Sequence, residues 1–125
     1  MKIPDHLQYS QDHEWVRLED DTAVVGITDF AQGELGDIIF VELPAVGDIF
    51  SRGDTFGTVE AVKTVADLFM PLSGEIIAVN AELEEAPEKV NSDPYGEGWM
   101  VKVKISAPGE REELLNHAAY KDLIS

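Results

Sequence analysis

The chain of 125 residues contains no cysteine, which excludes disulfides, thiolate metal sites and cysteine nucleophiles in one step. Base is scarce as well: 9 lysines and arginines stand against 25 aspartates and glutamates, for a formal net charge of −16. Such an excess repels phosphate backbones and anionic lipid headgroups, so neither nucleic acid nor a membrane is an expected partner. It favours encounters with basic protein surfaces and discourages self-association, and a monomer is expected. No apolar run approaches the length needed to cross a bilayer. The only histidines are His6, His13 and His117, too far apart in sequence to suggest a shared metal site. His13-Glu14 begins like a zinc helix, but no histidine follows at the required spacing. Gly-x-Ser-x-Gly, P-loop and Gly-x-Gly-x-x-Gly patterns are all missing. These gaps weigh against an enzyme.

What the chain does have is short, β-prone runs punctuated by turn residues. Tyr9 to Glu19 reads as a strand, Asp20-Asp21 as a turn and Thr22 to Ile27 as the strand completing a hairpin. Thr28 is placed to cap a short helix that ends near Gly33 or Gly36. Asp37 to Leu43 reads as a buried strand, and Ile49-Phe50 as the start of a short one. Thr55–Val62 and Thr64–Met70 read as a pair of strands, broken by Pro71-Leu72-Ser73-Gly74. Glu75 to Asn80 resumes the strand pattern, and Ala81 to Asn91 is an acidic short helix or loop. Trp99 to Ile105 alternates, with Lys102 and Lys104 on its polar face. Ser106, Pro108 and Glu110 open a C-terminal helix whose apolar stripe is Leu114, Leu115, Ala118 and Ala119. The pattern predicts one domain over residues 1–125, a mostly β sandwich or barrel with helices at its edges. Gly53 and Gly74, nearly equidistant from residue 63, hint at two similar halves.

Lys63 stands out in this layout. It is the only lysine between Lys2 and Lys89; Arg17 to Arg52 encloses eight acids and no base, and Thr64 to Glu88 carries six acids and no base. It falls at the turn between two apolar strands. An ordinary solvated tip lysine is one reading. A Schiff-base lysine is another, although that role needs burial to lower the amine's pKa. The third is a lysine that carries a cofactor through an amide bond, which asks for an exposed amine on a rigid protruding turn. Acylation then removes the charge, and the long side chain becomes a tether. A scaffold hairpin that docks a partner without any cofactor competes with it.

Val59-Glu60-Ala61-Val62-Lys63-Thr64-Val65-Ala66-Asp67, followed by Pro71-Leu72-Ser73-Gly74-Glu75, closely resembles the lipoyl-attachment segment of the glycine cleavage system H protein family. The resemblance runs through His13-Glu14-Trp15-Val16, Gly26-Ile27-Thr28-Asp29-Phe30-Ala31-Gln32, Leu35-Gly36-Asp37, Phe40-Val41-Glu42-Leu43-Pro44 and Asn91 to Trp99. Biotin carriers typically flank their lysine with methionines, and 2-oxoacid dehydrogenase lipoyl domains commonly place Asp before it; Val62 and Thr64 fit neither pattern.

The resemblance implies a barrel-sandwich hybrid of the lipoyl/biotinyl type, acting as a non-catalytic shuttle with lipoic acid on Lys63. Glycine decarboxylase, a pyridoxal-phosphate enzyme, would load an aminomethyl group onto the arm. An aminomethyltransferase would pass the one-carbon unit to tetrahydrofolate, dihydrolipoyl dehydrogenase would reoxidise the dithiol, and a lipoyl ligase or transferase would attach the cofactor. The cargo amine is cationic, so a cleft holding the loaded arm should offer it carboxylates; the family likeness implies Glu14 there, and Asp67 is the other acid expected beside it. Some relatives carry serine where this chain has Asp12, and Asp12 is left outside the expected site. Trp15, Phe30 and Trp99 are expected in the core. Met1 to Asp5 reads as neither a secretory signal nor a transit peptide. A bacterial cytoplasmic location is therefore expected, or the mitochondrial matrix for a processed eukaryotic chain.

Overall fold

Alternating apolar runs separated by turn residues set the architecture of the computed structural model, which describes residues 1–125. In chain order the strands are β1 (Gln8–Tyr9), β2 (Glu14–Glu19), β3 (Thr22–Ile27), β4 (Ile38–Glu42), β5 (Ile49–Phe50), β6 (Thr55–Ala61), β7 (Val65–Phe69), β8 (Gly74–Val79) and β9 (Val101–Ile105). The α-helices are α1 (Asp29–Leu35), α2 (Lys89–Ser92) and α3 (His117–Ile124), with 3-10 turns at Ala81–Glu84 and Pro108–Glu113. One antiparallel sheet runs β1-β2-β3-β9-β8-β5, and a smaller one runs β4-β6-β7. Two antiparallel sheets with helices at their edges match the mostly β sandwich or barrel that the pattern predicts, in the barrel-sandwich form that the resemblance implies.

The strands' inward residues build a continuous core between the sheets. Val16, Val25 and Ile27 come from the large sheet, Val41, Val59 and Leu68 from the small one, and Ile76, Val101 and Val103 from the β8–β9 pair. Burying an aliphatic side chain of this size contributes about 1.5–3 kcal/mol. β9 shows why the alternation works: Val101, Val103 and Ile105 are buried, while Lys102 and Lys104 turn away from the core. A second cluster gathers Leu7, Tyr9, Trp15, Val24 and Tyr120, with α3 docked beside β1. Here Trp15 is fully buried and donates its indole N–H to the Pro94 carbonyl at 2.9 Å.

Trp15 also explains one glycine. Gly26 is its cross-strand partner, and a Cβ at residue 26 would lie within 2.6–2.8 Å of the indole ring. A fully buried indole with its N–H committed cannot swing aside. Gly26→Ala should therefore cost about 1–3 kcal/mol, the usual price of overpacking a filled core. A urea midpoint equal to the parent's would show that the ring has room to move.

Several sequence expectations need correction. Tyr9 to Glu19 is not one strand: β1 and β2 form a hairpin of their own, turned through His13, whose φ is 66°. Strand β4 is not buried throughout, because Ile39 and Phe40 are half exposed on its outer side. Ala81 to Asn91 does form short helical structure joined by a loop, as a 3-10 turn followed by the start of α2. At the C-terminus Asn116, not Ser106, caps the helix, accepting the Ala119 N–H at 2.8 Å. Ala118 and Ala119 are exposed, and the residue of α3 that is buried is Tyr120. Gly53 and Gly74 do not play matching parts. Gly53 turns the chain at φ 91°, whereas Gly74 begins β8 pressed against the Lys104 carbonyl.

Candidate functional site

The hairpin β6–β7 holds Lys63 at its turn. Val59↔Ala66 and Glu60↔Val65 pair down the two strands. The Ala61 N–H donates to the Thr64 carbonyl at 2.7 Å, closing the tip, and the Val62 N–H donates to the Asp37 carbonyl at 3.2 Å, tying it to the chain entering β4. Lys63 itself is exposed. The chain's ion pairs involve Arg17, Lys89 and Lys102, and its ammonium enters none of them. The stem passes Gly36, whose missing Cβ would lie 3.8 Å from the Lys63 Cε. Gly36 is also the left-handed C-cap of α1, at φ 85°, where its N–H bonds the Gln32 carbonyl.

Asn91 fastens this corner from behind. Its amide donates to the Gly36 carbonyl and to Gln32 Oε1, both at 2.9 Å, and its oxygen accepts the Ile38 N–H at 2.9 Å. One side chain thus joins the end of α1 to the start of β4. The lysine turn is braced on both sides and its amine is left free.

Further down the hairpin lies a cavity of about 350 Å³. Val59, Ala66, Asp67 and Leu68 form one wall, and Phe30, Ala31, Glu34 and Leu35 of α1 form another. Asp12, His13 and Glu14 close it from the β1–β2 turn, with Ile27 in the floor. Positions 30, 31, 34 and 35 share one face of a helix by spacing alone. The interior is aliphatic and aromatic, and four carboxylates border it. Such a cavity suits a ligand with an apolar stem and a cationic end.

Glu14 is the unusual member of that set, only 1% exposed. Its Oε2 accepts the Phe69 N–H at 3.0 Å, on the edge of β7 that has no neighbouring strand. Its Oε1 accepts the Ser10 hydroxyl at 2.8 Å. No cation reaches it. Burial pushes the carboxyl up to about 8, against the opposing pull of the Phe69 and Ser10 hydrogen bonds. Burial therefore favours its neutral form, and a positive charge brought beside it would favour the carboxylate. Asp67, by contrast, is exposed and borders the cavity from the outer face of β7.

The structure thus brings two of the sequence-expected residues, Glu14 and Asp67, into one cavity, with Lys63 at the turn of the same hairpin. It also adds residues that the sequence reading missed. Asp12 borders the cavity, and Phe30 lines it instead of joining the core. His13 and Glu34 complete the polar border. The helical spacing from Phe30 to Leu35 is a signal that could have found α1's contribution. For Asp12 and His13 no local signal exists.

The family model for the glycine cleavage H-protein matches residues 7–125. The chain belongs to that family. A glycine cleavage system H protein of Salinibacter ruber is 58% identical over 123 residues, covering 98% of this chain and 99% of the relative. One from Bacteroides thetaiotaomicron is 54% identical over 125 residues, with 100% and 99% covered. Among solved structures, the crystal structure of a glycine cleavage system H protein from Mycobacterium marinum superposes with a TM-score of 0.89 at 41% identity, covering 96% of this chain and 97% of that one. The glycine cleavage H-protein family consists of lipoyl-bearing shuttles, carriers in the system and not catalysts. No helix of this member is long and apolar enough to cross a membrane.

Proposed function

We propose that Lys63 bears the lipoyl group in amide linkage and that the cavity between α1 and β7 receives the loaded arm. One observation carries this reading: a braced, exposed, unpaired lysine turn shares its hairpin with an apolar cavity bordered by carboxylates. An amide-linked arm needs an accessible amine on a turn that does not collapse, and the bonds at Ala61, Val62 and Asn91 meet that need. When attached, the lipoyl group supplies a disulfide–dithiol couple and a long flexible reach. The chain's own residues supply anchoring, shelter and charge. Ile27, Val59, Leu35 and Leu68 offer apolar contact and keep water from the cargo bond. Glu14 and Asp67 meet the cargo amine, Glu14 from a dry position where a charge-assisted hydrogen bond is strong.

On this reading residues 1–125 act as one monomeric carrier domain in a bacterial cytoplasm. Its partners are glycine decarboxylase with pyridoxal phosphate, the tetrahydrofolate-dependent aminomethyltransferase, dihydrolipoyl dehydrogenase and the ligase or transferase that attaches lipoate. Phe40, Val62 and Val65 are exposed near the turn, with Glu60 and Asp67 among them. They give those enzymes an apolar patch bordered by negative charge.

Mass spectrometry tests the assignment. Protein from its native source, or co-expressed with a lipoyl ligase, should gain one lipoyl mass, located on the peptide that contains Lys63. An unmodified protein, or a gain on another lysine, would refute it.

A further inference from the structure

We propose that Tyr120 is a positioning residue for the cavity: a one-way chain of hydroxyls from Thr28 through Tyr120 holds His13 neutral, with its proton on Nε2, so that no positive charge in the wall competes with the cargo amine. The link to cargo rests on the cavity's role proposed above; the proton arrangement stands without it.

Tyr120 is the buried anchor of α3, at 0% exposure, and its ring stacks on Tyr9 with centroids 4.5 Å apart. Its hydroxyl oxygen lies 2.7 Å from Thr28 Oγ1 and 3.0 Å from His13 Nδ1. Thr28 is also fully buried, and its Oγ1 already accepts the Ala31 N–H as the cap of α1. The Thr28 hydroxyl proton then has one acceptor within reach, the Tyr120 oxygen. A buried hydroxyl proton without an acceptor is costly, so Thr28 donates to Tyr120. The Tyr120 proton is left to point at His13 Nδ1, which must receive it with a lone pair. In neutral imidazole that places the ring proton on Nε2. Nε2 makes no hydrogen bond within the chain and is not among the buried unpaired atoms, so it lies on the open side of the ring.

Protonating His13 would put a hydrogen on Nδ1, facing the Tyr120 hydrogen. The chain would have to reverse, and the Thr28 proton would lose its acceptor. This geometry opposes a charge that the neighbours invite. Asp12 beside it and Glu34 from α1 favour the imidazolium, yet burial dominates and draws the pKa of His13 below its ordinary value. Glu14 of β2 and Asp67 of β7 border the same cavity. Phe30 packs against the ring at 4.9 Å, so the imidazole is part of the wall. An imidazolium there would sit within a Debye length of every carboxylate that attracts the cargo. The neutral ring leaves their combined charge for the amine.

Nitrogen NMR of the imidazoles in the unlipoylated wild-type protein reads the tautomer directly. His13 should show a bare Nδ1 and a protonated Nε2 at pH 7.5. Tyr120→Phe keeps the stacked ring and removes the relay oxygen; it should raise the His13 midpoint by about one unit, a tenfold change in proton affinity, and mix the tautomers. In the lipoylated, cargo-loaded protein, the same substitution should accelerate cargo loss at pH 6 several-fold while leaving the rate at pH 8 near the parent's. A proton on Nδ1 in the wild type, or an unmoved midpoint in the variant, would overturn the relay. A moved midpoint with no change in cargo loss at pH 6 would overturn its link to the cavity. Failure of Lys63 attachment would instead appear as a missing mass gain and leave the tautomer result intact.

Discussion

Lys63→Arg should keep the fold and abolish the carrier. The side chain is exposed and unpaired, so exchanging one cation for another should change stability by no more than about 0.5 kcal/mol. Guanidinium stays protonated and is a poor acyl acceptor under conditions where an amine can be acylated. The variant should therefore gain no mass when co-expressed with a lipoyl ligase. Reconstituted glycine cleavage should fall to the level seen without any carrier. The arm's local concentration at a docked enzyme disappears together with its anchor. A mass gain on Lys89, Lys102 or another lysine, accompanied by turnover, would move the arm elsewhere.

The second large effect concerns Glu14 and has opposite signs for stability and for function. Its carboxyl is raised from 4.5 to about 8 in the folded protein. The folded state therefore holds a proton that the unfolded state releases between those values. Stability from this group is fully present below about pH 4.5 and is lost as pH rises through about 8. At about 1.4 kcal/mol per unit, the loss at neutral pH is on the order of 3 kcal/mol. Glu14→Gln removes it. Glutamine's oxygen can still accept the Phe69 N–H, but its NH2 cannot replace the oxygen that accepts the Ser10 hydroxyl, because Ser10 Oγ already accepts the Asp12 and Glu14 N–H groups; the gain is reduced by that lost bond. Urea midpoints measured from pH 4 to 9 should show the variant gaining on the parent progressively above pH 5. Cargo retention should suffer, by about tenfold or more, because a neutral amide offers no counter-charge to the amine. Parallel stability curves would show that Glu14 titrates alike in the folded and unfolded protein and that its burial is balanced in some other way.

Much of the site was legible from local pattern. The hairpin expected at Thr55–Val62 and Thr64–Met70 forms as Thr55–Ala61 and Val65–Phe69, because β-prone residues alternate on both sides of a three-residue turn. Thr28 caps α1 and Gly36 ends it, as side-chain oxygen and left-handed glycine dictate. The departures arose where tertiary structure overrode pattern. Tyr9 to Glu19 looks continuous until His13 adopts a positive φ, and that turn is what carries Asp12 and His13 to the cavity. Phe30 looked like core because aromatic residues generally are. It lines an open wall because α1 and β7 leave a gap between them. The C-terminal apolar stripe departed from expectation for a related reason: Leu114 and Leu115 pack on the core ahead of α3, Ala118 and Ala119 are exposed, and the buried residue of α3 is Tyr120.

The edge of β7 has a wider consequence. This strand has a neighbour on one side only, and an unpaired row of amides next to a protruding hairpin is a template on which a second copy could add its own strand. Glu14 occupies one of those amides, and Glu60 and Asp67 line the outer face in a molecule of net charge −16. Two such edges brought together would bring like charges into register. The acidity proposed to attract a cationic passenger thereby also opposes edge-to-edge pairing of one molecule with the next.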